Sequence, residues 1–224
     1  MTGDECDRTE RARERLVEGL HERGEVYSRR VAKAMATVPR HEFVPEAVRD
    51  RAYADEPLAI GHDQVVTAPH LVARMTELLE LRSGHRVLEV GTGSGYHAAV
   101  IADIVGPENV FTMERIPELA AHARAALARA GYGEVTVVGG DGSAGLPEFA
   151  PFDRINVTSV APEPPDPLLD QLADGGRMVI PLGPRHGRHE LVLVTKRDGR
   201  IERLSYGWVR FVPLLGEHGF ADER

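Results

Sequence analysis

The sequence predicts an α/β fold, a mostly parallel central sheet with helices on both faces and a helical cap at its N-terminal end. Three observations carry this. Short apolar runs of buried-strand type recur at residues 87–90, 109–114, 135–139 and 152–160. Helix-forming stretches at 97–105 and 117–130 separate the first three of them, which is the alternation that builds parallel sheets. Finally, the first run ends in Gly91, Gly93 and Gly95, and His97 then opens a helical pattern. A strand that becomes a helix through glycines lets the backbone approach a ligand and presents free helix N–H groups there.

Taken in order, residues 1–10 are polar and read as frayed. Apolar positions over 9–22 are sparse (Leu16, Val17, Leu20), giving an amphipathic helix. A second helix over 28–36 ends near Val38-Pro39, because proline disfavours helical geometry in the residue before it. Residues 40–61 carry too much proline and glycine for long elements. Residues 71–81 have helical spacing with Met75 on the core face, and Pro117 suits the first turn of the 117–130 helix. After the strand at 152–160, residues 162–167 read as a stiff connector and 168–172 as a short helix. Strands follow at 177–182 and 190–196, with a polar turn at 185–189 between them, and 203–215 reads as the last strand, carrying Trp208. Residues 1–80 thus form a helical cap with a loop, packed on the same domain as the core at 81–224.

At 224 residues the chain is long enough for a substantial core. Its 42% hydrophobic and 28% charged residues describe a globular protein. A net charge of −8 argues against a broad nucleic-acid-binding face, which would have to be basic. No apolar run has membrane length, and no secretory leader is visible. One cysteine, Cys6, allows no internal disulfide, which suits a reducing compartment, so a cytoplasmic monomer without nucleic-acid or membrane partners is expected.

The spacing Gly91-x-Gly93-x-Gly95 is tighter than the dinucleotide pattern and lacks a phosphate-loop lysine, so a nucleoside suits it better than a pyrophosphate. Acids then fall at strand ends. Glu89 lies in the first strand, Glu114 ends the second where it can take ribose hydroxyls, and Asp141-Gly142 follows the third. This series resembles the S-adenosylmethionine-dependent methyltransferases with a Rossmann-like fold. The resemblance implies that Glu89, Val90, Gly91, Gly93 and Gly95 lie at the methionine moiety. Glu114 with Arg115 would lie at the ribose, and Asp141 with Gly142 at the adenine.

A second set of segments is more specific. Phe43-Val-Pro-Glu, Ala52-Tyr, Pro57-Leu, residues 60–70, Ala161-Pro-Glu, Gly175-Gly-Arg-Met-Val-Ile-Pro-Leu-Gly183 and Arg210-Phe-Val-Pro-Leu214 resemble the protein-L-isoaspartate O-methyltransferase family over roughly residues 30–216. That family's active-site loop reads approximately Gly-Gln-Thr-Ile-Ser-x-Pro-His; here it is Asp63-Gln-Val-Val-Thr-Ala-Pro-His70. The resemblance implies methyl transfer from S-adenosylmethionine to the free carboxylate of isoaspartyl residues in damaged proteins. The ester would then close to a succinimide that partly reopens as aspartate. Gln64, Val65, Val66 and Thr67 would also touch the cofactor, and Thr67, Ala68, His70, Val212 and Leu214 the substrate. Thr67 keeps the catalytic hydroxyl but adds a methyl, Val65 removes a polar group, and Asp63 adds charge, so Asp63 is expected to face solvent or pair with His62 or Arg74.

An isoaspartyl carboxylate, with a reference pKa of about 4, is already ionised and needs no strong base. Positioning in a dry site is the task. The alternative role for the Thr67 hydroxyl is capping the helix that starts near Pro69. His186 and His189 lie in the polar turn without ligand-spaced partners, so no metal is expected. Ser94 and Ser143 lack a paired base, which leaves a hydrolase triad without support. Two other functions stay open: an aspartate O-methyltransferase of a modified-peptide pathway, and a non-catalytic relative that binds the cofactor.

Overall fold

The computed structural model describes residues 3–222, with side chains from residue 8 onward. Helix α1 (Gly3–Glu22) begins within the stretch expected to fray, and α2 (Arg29–Thr37) follows with Ser28 as its N-cap. The Cys6 side chain lies outside the described residues. Short 3₁₀ turns at Arg40–Phe43 and Glu46–Arg51 fill the proline-punctuated stretch. Strands β1 (Leu58–Gly61) and β2 (Gln64–Val66) then pair as an antiparallel hairpin. Helix α3 (Pro69–Leu78) leads into the core, with Met75 fully buried.

The core alternates β3 (Val87–Val90), α4 (Tyr96–Val105), β4 (Val110–Glu114), α5 (Pro117–Arg129), β5 (Thr136–Gly139) and β6 (Phe152–Val157). It closes with α6 (Asp166–Gln171), β7 (Leu172–Leu182), β8 (His189–Arg197) and β9 (Arg200–Val209). Strand order is β5-β4-β3-β6-β7-β8-β9, parallel through β7 and antiparallel beyond it. The first five strands therefore end on one edge. Successive residues of β3 face opposite sides. Val87 joins a core with α1–α5, whereas Leu88 and Val90 join a second core with Phe152, Leu168 and Phe149. The cap helices are covered by the same apolar face as α4, and Leu20, Val31 and Met35 are buried there with Ile101.

Two expectations at the C-terminal end are corrected. The strand expected over 203–215 stops at Val209. Residues 210–214 instead cross the end of β6, where Val160 N donates to Val212 O and Leu214 N donates to Val160 O. Leu214 gains burial by leaving the solvent-facing edge strand, and Pro213 has no N–H to lose. His189 belongs to β8 rather than to a solvated turn. It is buried, its Nδ1 accepts from Phe211 N, and burial pushes it below the usual histidine range.

Candidate functional site

At the C-terminal edge of the parallel strands lies a cleft of about 260 Å³. Its floor is the turn from Val90 to Ser94. Gly91, Gly93 and Gly95 all take positive φ (96°, 53° and 89°), which side-chain-bearing residues rarely adopt. At Gly91 a side chain is also excluded by space, because a Cβ would meet the Thr158 hydroxyl, which donates to the carbonyls of Val90 and Gly91. Gly142 lines the cleft where a Cβ would come within 2.6 Å of Val90 Cγ1. Gly95 plays a different part: it starts α4 and lets that helix pack against Ala123 and Leu127.

The acids occupy distinct places. Glu114 is on the cleft wall, nearly buried, with Oε2 accepting from Gly93 N at 2.9 Å and Oε1 from Ile116 N at 3.0 Å. A carboxylate offers about four acceptor positions, so two remain for hydroxyl donors in the cleft. Arg115 also lines it and pairs with Asp222 at 2.6 Å. Asp141 is not among the cleft-lining residues, although the next residue, Gly142, is. The Asp141 carboxylate accepts from Ser143 N and Oγ and from Glu217 N, and these bonds hold it below the usual carboxylate range even though burial pulls the other way. Glu89 is placed behind the wall rather than on it, fully buried, with Thr112 Oγ1 donating to its Oε2 at 2.6 Å.

The hairpin β1–β2 forms the roof. A Cβ on Gly93 would touch Ile60 Cδ1 at 3.5 Å, so hairpin and glycine turn meet directly. His62 and Asp63 take left-handed φ of 52° and 57° at the hairpin's two-residue turn, a conformation that glycine, asparagine and aspartate tolerate best. Asp63 is exposed, as expected. It nevertheless lines the cleft together with Gln64, Val65, Val66 and Thr67.

A second, more open groove of about 600 Å³ adjoins the first, and Val65, Thr67, Thr158 and Val212 line both. Ala68 and His70 face this groove, and Leu214 the first cleft. His70 Nδ1 and backbone N both lie 2.9 Å from Asp55 Oδ1, while Asp55 Oδ2 pairs with Arg23. Trp208, 62% exposed, borders the groove with the Arg188 guanidinium 5.2 Å from its ring centre. The Thr67 hydroxyl does not cap α3, whose N-cap is Ala68 with no side-chain bond.

Several residues were missed from the sequence. Thr158 and Ser159 directly follow β6 at the cleft, Arg185 and His186 reach it from the turn after β7, and Arg40 is completely buried under the loop. Arg40 donates from Nη2 to Thr67 O and from Nε to Ala52 O, both at 2.9 Å, with its guanidinium 4.7 Å from the Tyr96 ring centre. Burial lowers its pKa. An arginine in Val-Pro-Arg-His gives no local sign of such burial. A polar Thr-Ser directly after the apolar run of β6 was a usable sign of a strand end at a site. Among the described residues no group of three His, Cys, Asp or Glu could hold a metal ion, and no helix is long and apolar enough to cross a membrane.

The family model described as protein-L-isoaspartate(D-aspartate) O-methyltransferase matches residues 10–219. The protein-L-isoaspartate O-methyltransferase of Methanopyrus kandleri is 59% identical over 95% of both chains. That of Hyperthermus butylicus is 54% identical over 94% of this chain and 91% of its own. Among solved structures, a protein-L-isoaspartate O-methyltransferase of Plasmodium falciparum in complex with S-adenosyl-L-homocysteine superposes with a TM-score of 0.79 at 27% identity, covering 91% of this chain and 98% of that one. Another structure with the same enzyme name gives 0.85 at 33% identity, over 92% and 67% of the two chains.

Proposed function

The chain belongs to the protein-L-isoaspartate(D-aspartate) O-methyltransferase family, and from that premise we propose how its two adjoining cavities divide the reaction. The protein is an S-adenosylmethionine-dependent enzyme that methylates the free carboxylate of L-isoaspartyl residues in damaged proteins, a repair step. The first cleft fits the cofactor's chemistry. Gly91 and Gly93 put bare backbone on its floor, and Glu114 has acceptor capacity left for two hydroxyls. In this reading Val90, Gly91 and Gly93 hold the methionine end, Glu114 and Arg115 the ribose, and Asp141 and Gly142 the adenine end.

Bound S-adenosylmethionine supplies an electrophilic sulfonium methyl, for which an ionised carboxylate is a sufficient nucleophile. The protein's own task is to orient that carboxylate and keep water away. Thr67 carries the proposal, because it lines both the enclosed cleft and the open groove and so stands where donor and acceptor meet. Arg40 fixes the Thr67 carbonyl and thereby the direction of its hydroxyl. Ala68, His70, Val212 and Leu214 frame the path of the peptide, with His70 pinned by Asp55. A cytoplasmic monomer acting without nucleic acid or membrane belongs to the same proposal, supported by the acidic balance and the single cysteine.

Transfer of a tritiated methyl group to matched isoaspartyl and aspartyl peptides tests the reading. Label is expected on the isoaspartyl peptide alone. Label on the aspartyl peptide would move the protein to peptide modification, and label on neither despite cofactor binding would make it a non-catalytic binder.

A further inference from the structure

Behind the glycine turn, a row of buried polar side chains crosses β4, β3 and β6 and ends on α3. Its proton positions follow from counting. Thr76 Oγ1 donates to Val72 O at 2.6 Å, which uses its only proton. His97 Nε2, 3.0 Å from the same oxygen, must therefore be the donor of that pair. His97 Nδ1 is then bare and accepts from Asn156 Nδ2 at 3.2 Å, which turns Asn156 Oδ1 away from the histidine. From the other end, Thr112 Oγ1 donates to Glu89 Oε2 at 2.6 Å, so the Thr92 hydroxyl, 2.7 Å away, donates to Thr112.

Two acceptors are left over. Glu89 Oε1 and Asn156 Oδ1 are both buried with no hydrogen-bond partner, and their residues are direct register partners across β3 and β6. Orphaned acceptors are costly in a dry interior. One proton on Glu89 Oε1 satisfies both at once.

We propose that Glu89 is a neutral carboxylic acid donating from Oε1 to Asn156 Oδ1, the central link of a one-directional chain Thr92–Thr112–Glu89–Asn156–His97–Thr76–Val72 O, and that it acts as a positioning residue for the cofactor turn. The chain starts at Thr92, on the cleft floor, and ends on the helix that follows the Thr67 loop, so the two halves of the site share one polar brace. Electrostatics agree. Burial pushes Glu89 up to about 8; hydrogen bonding from Thr112 and Asn156 pulls the other way without offsetting it, and the Glu114 carboxylate on β4 adds to the rise. Burial pushes His97 on α4 down to about 3, with the charge of Arg40 acting in the same direction. Both shifts favour the neutral form near pH 7. Ionising Glu89 would set two acceptors against each other and break the chain at its centre.

The proposal deepens the reading of the glycine turn as the cofactor site, yet its first test does not depend on that reading. Infrared difference spectra between the protein and Glu89→Gln at pH 7 should show the carbonyl stretch of a protonated carboxylic acid, disappearing as pH rises through about 8. Calorimetric titration with S-adenosylhomocysteine supplies the second. Glu89→Gln, which can still donate and accept, should keep the affinity within about twofold and remove its decline above pH 8, whereas Glu89→Leu should weaken it about tenfold. If the leucine variant fails to fold, the infrared band and the glutamine variant decide. Absence of the band at pH 7, or an equal loss in the glutamine and leucine variants, would overturn the proposal in favour of an ionised Glu89. The band in a protein that binds no S-adenosylhomocysteine would support the neutral acid and overturn only the cofactor reading.

Discussion

The two halves of the site are built by opposite means. The half proposed for the cofactor is one continuous bend, residues 90–94, with its neighbours at the ends of β4 and β5, and almost every group there is buried or tied to backbone. The half proposed for the acceptor is assembled from the β1–β2 hairpin, the end of β6 and the 210–214 strap, and it exposes Val65 and Trp208. A ligand that never varies can be met by backbone fixed in place. A damaged residue set in any of many proteins requires a rim that leaves room for changing flanks.

Substitutions should separate these halves, beginning with the largest effect. Gly91→Ala places a side chain at φ 96° against the Thr158 hydroxyl, so two costs of about 1–2 kcal/mol each should weaken S-adenosylhomocysteine binding about 100-fold by calorimetry. Glu114→Ala and Thr67→Val form the next contrast. The first removes charge-assisted acceptors worth about 1.5–3 kcal/mol and should weaken cofactor binding at least about tenfold. The second should leave that binding within severalfold while cutting methyl transfer about tenfold or more. Equal effects on both readouts would erase the division between the halves.

Trp208→Ala should act more weakly and only on the acceptor side, raising the KM for isoaspartyl peptides about threefold with cofactor affinity unchanged. Smallest of all is Asp63→Gly, which relieves a left-handed φ of 57° at the hairpin turn and should stabilise the protein by about 0.5–1 kcal/mol in denaturant titration. A loss of stability would mean that the Asp63 carboxylate, exposed as it is, holds the hairpin by a bond that the strain obscures.

The cofactor half was readable because its signals are local. Strand, glycines and helix follow one another within 87–105, and Glu114 and Asp141 recur at the ends of the next two strands by the same alternation. Glu89 belongs to that series by position, but the pleat turns it away from the cleft and into the layer beneath. Residues 1–10 were read as frayed because they are polar, yet α1 already begins at Gly3, whereas the amphipathic helix read over 9–22 does bury Leu20 completely. On the acceptor side the 63–70 loop and the 210–214 segment, with Val212 and Leu214, came from the family resemblance. Arg40 acts on Thr67 across 27 residues and His189 holds Phe211 across 22, so neither leaves a pattern in its own neighbourhood.

By itself the sequence determined the parallel core and the glycine bend, since each depends on periodicity or spacing within a few residues, and its resemblance to the family implied the hydroxyl-bearing loop. Tertiary structure alone decided that the last segment leaves the sheet to cross β6, that a buried arginine anchors the loop, and that Glu89 is buried behind the cleft wall. Those outcomes depend on which distant backbone groups and apolar faces become neighbours once the chain is packed, and burial then dictates which polar atoms must find one another.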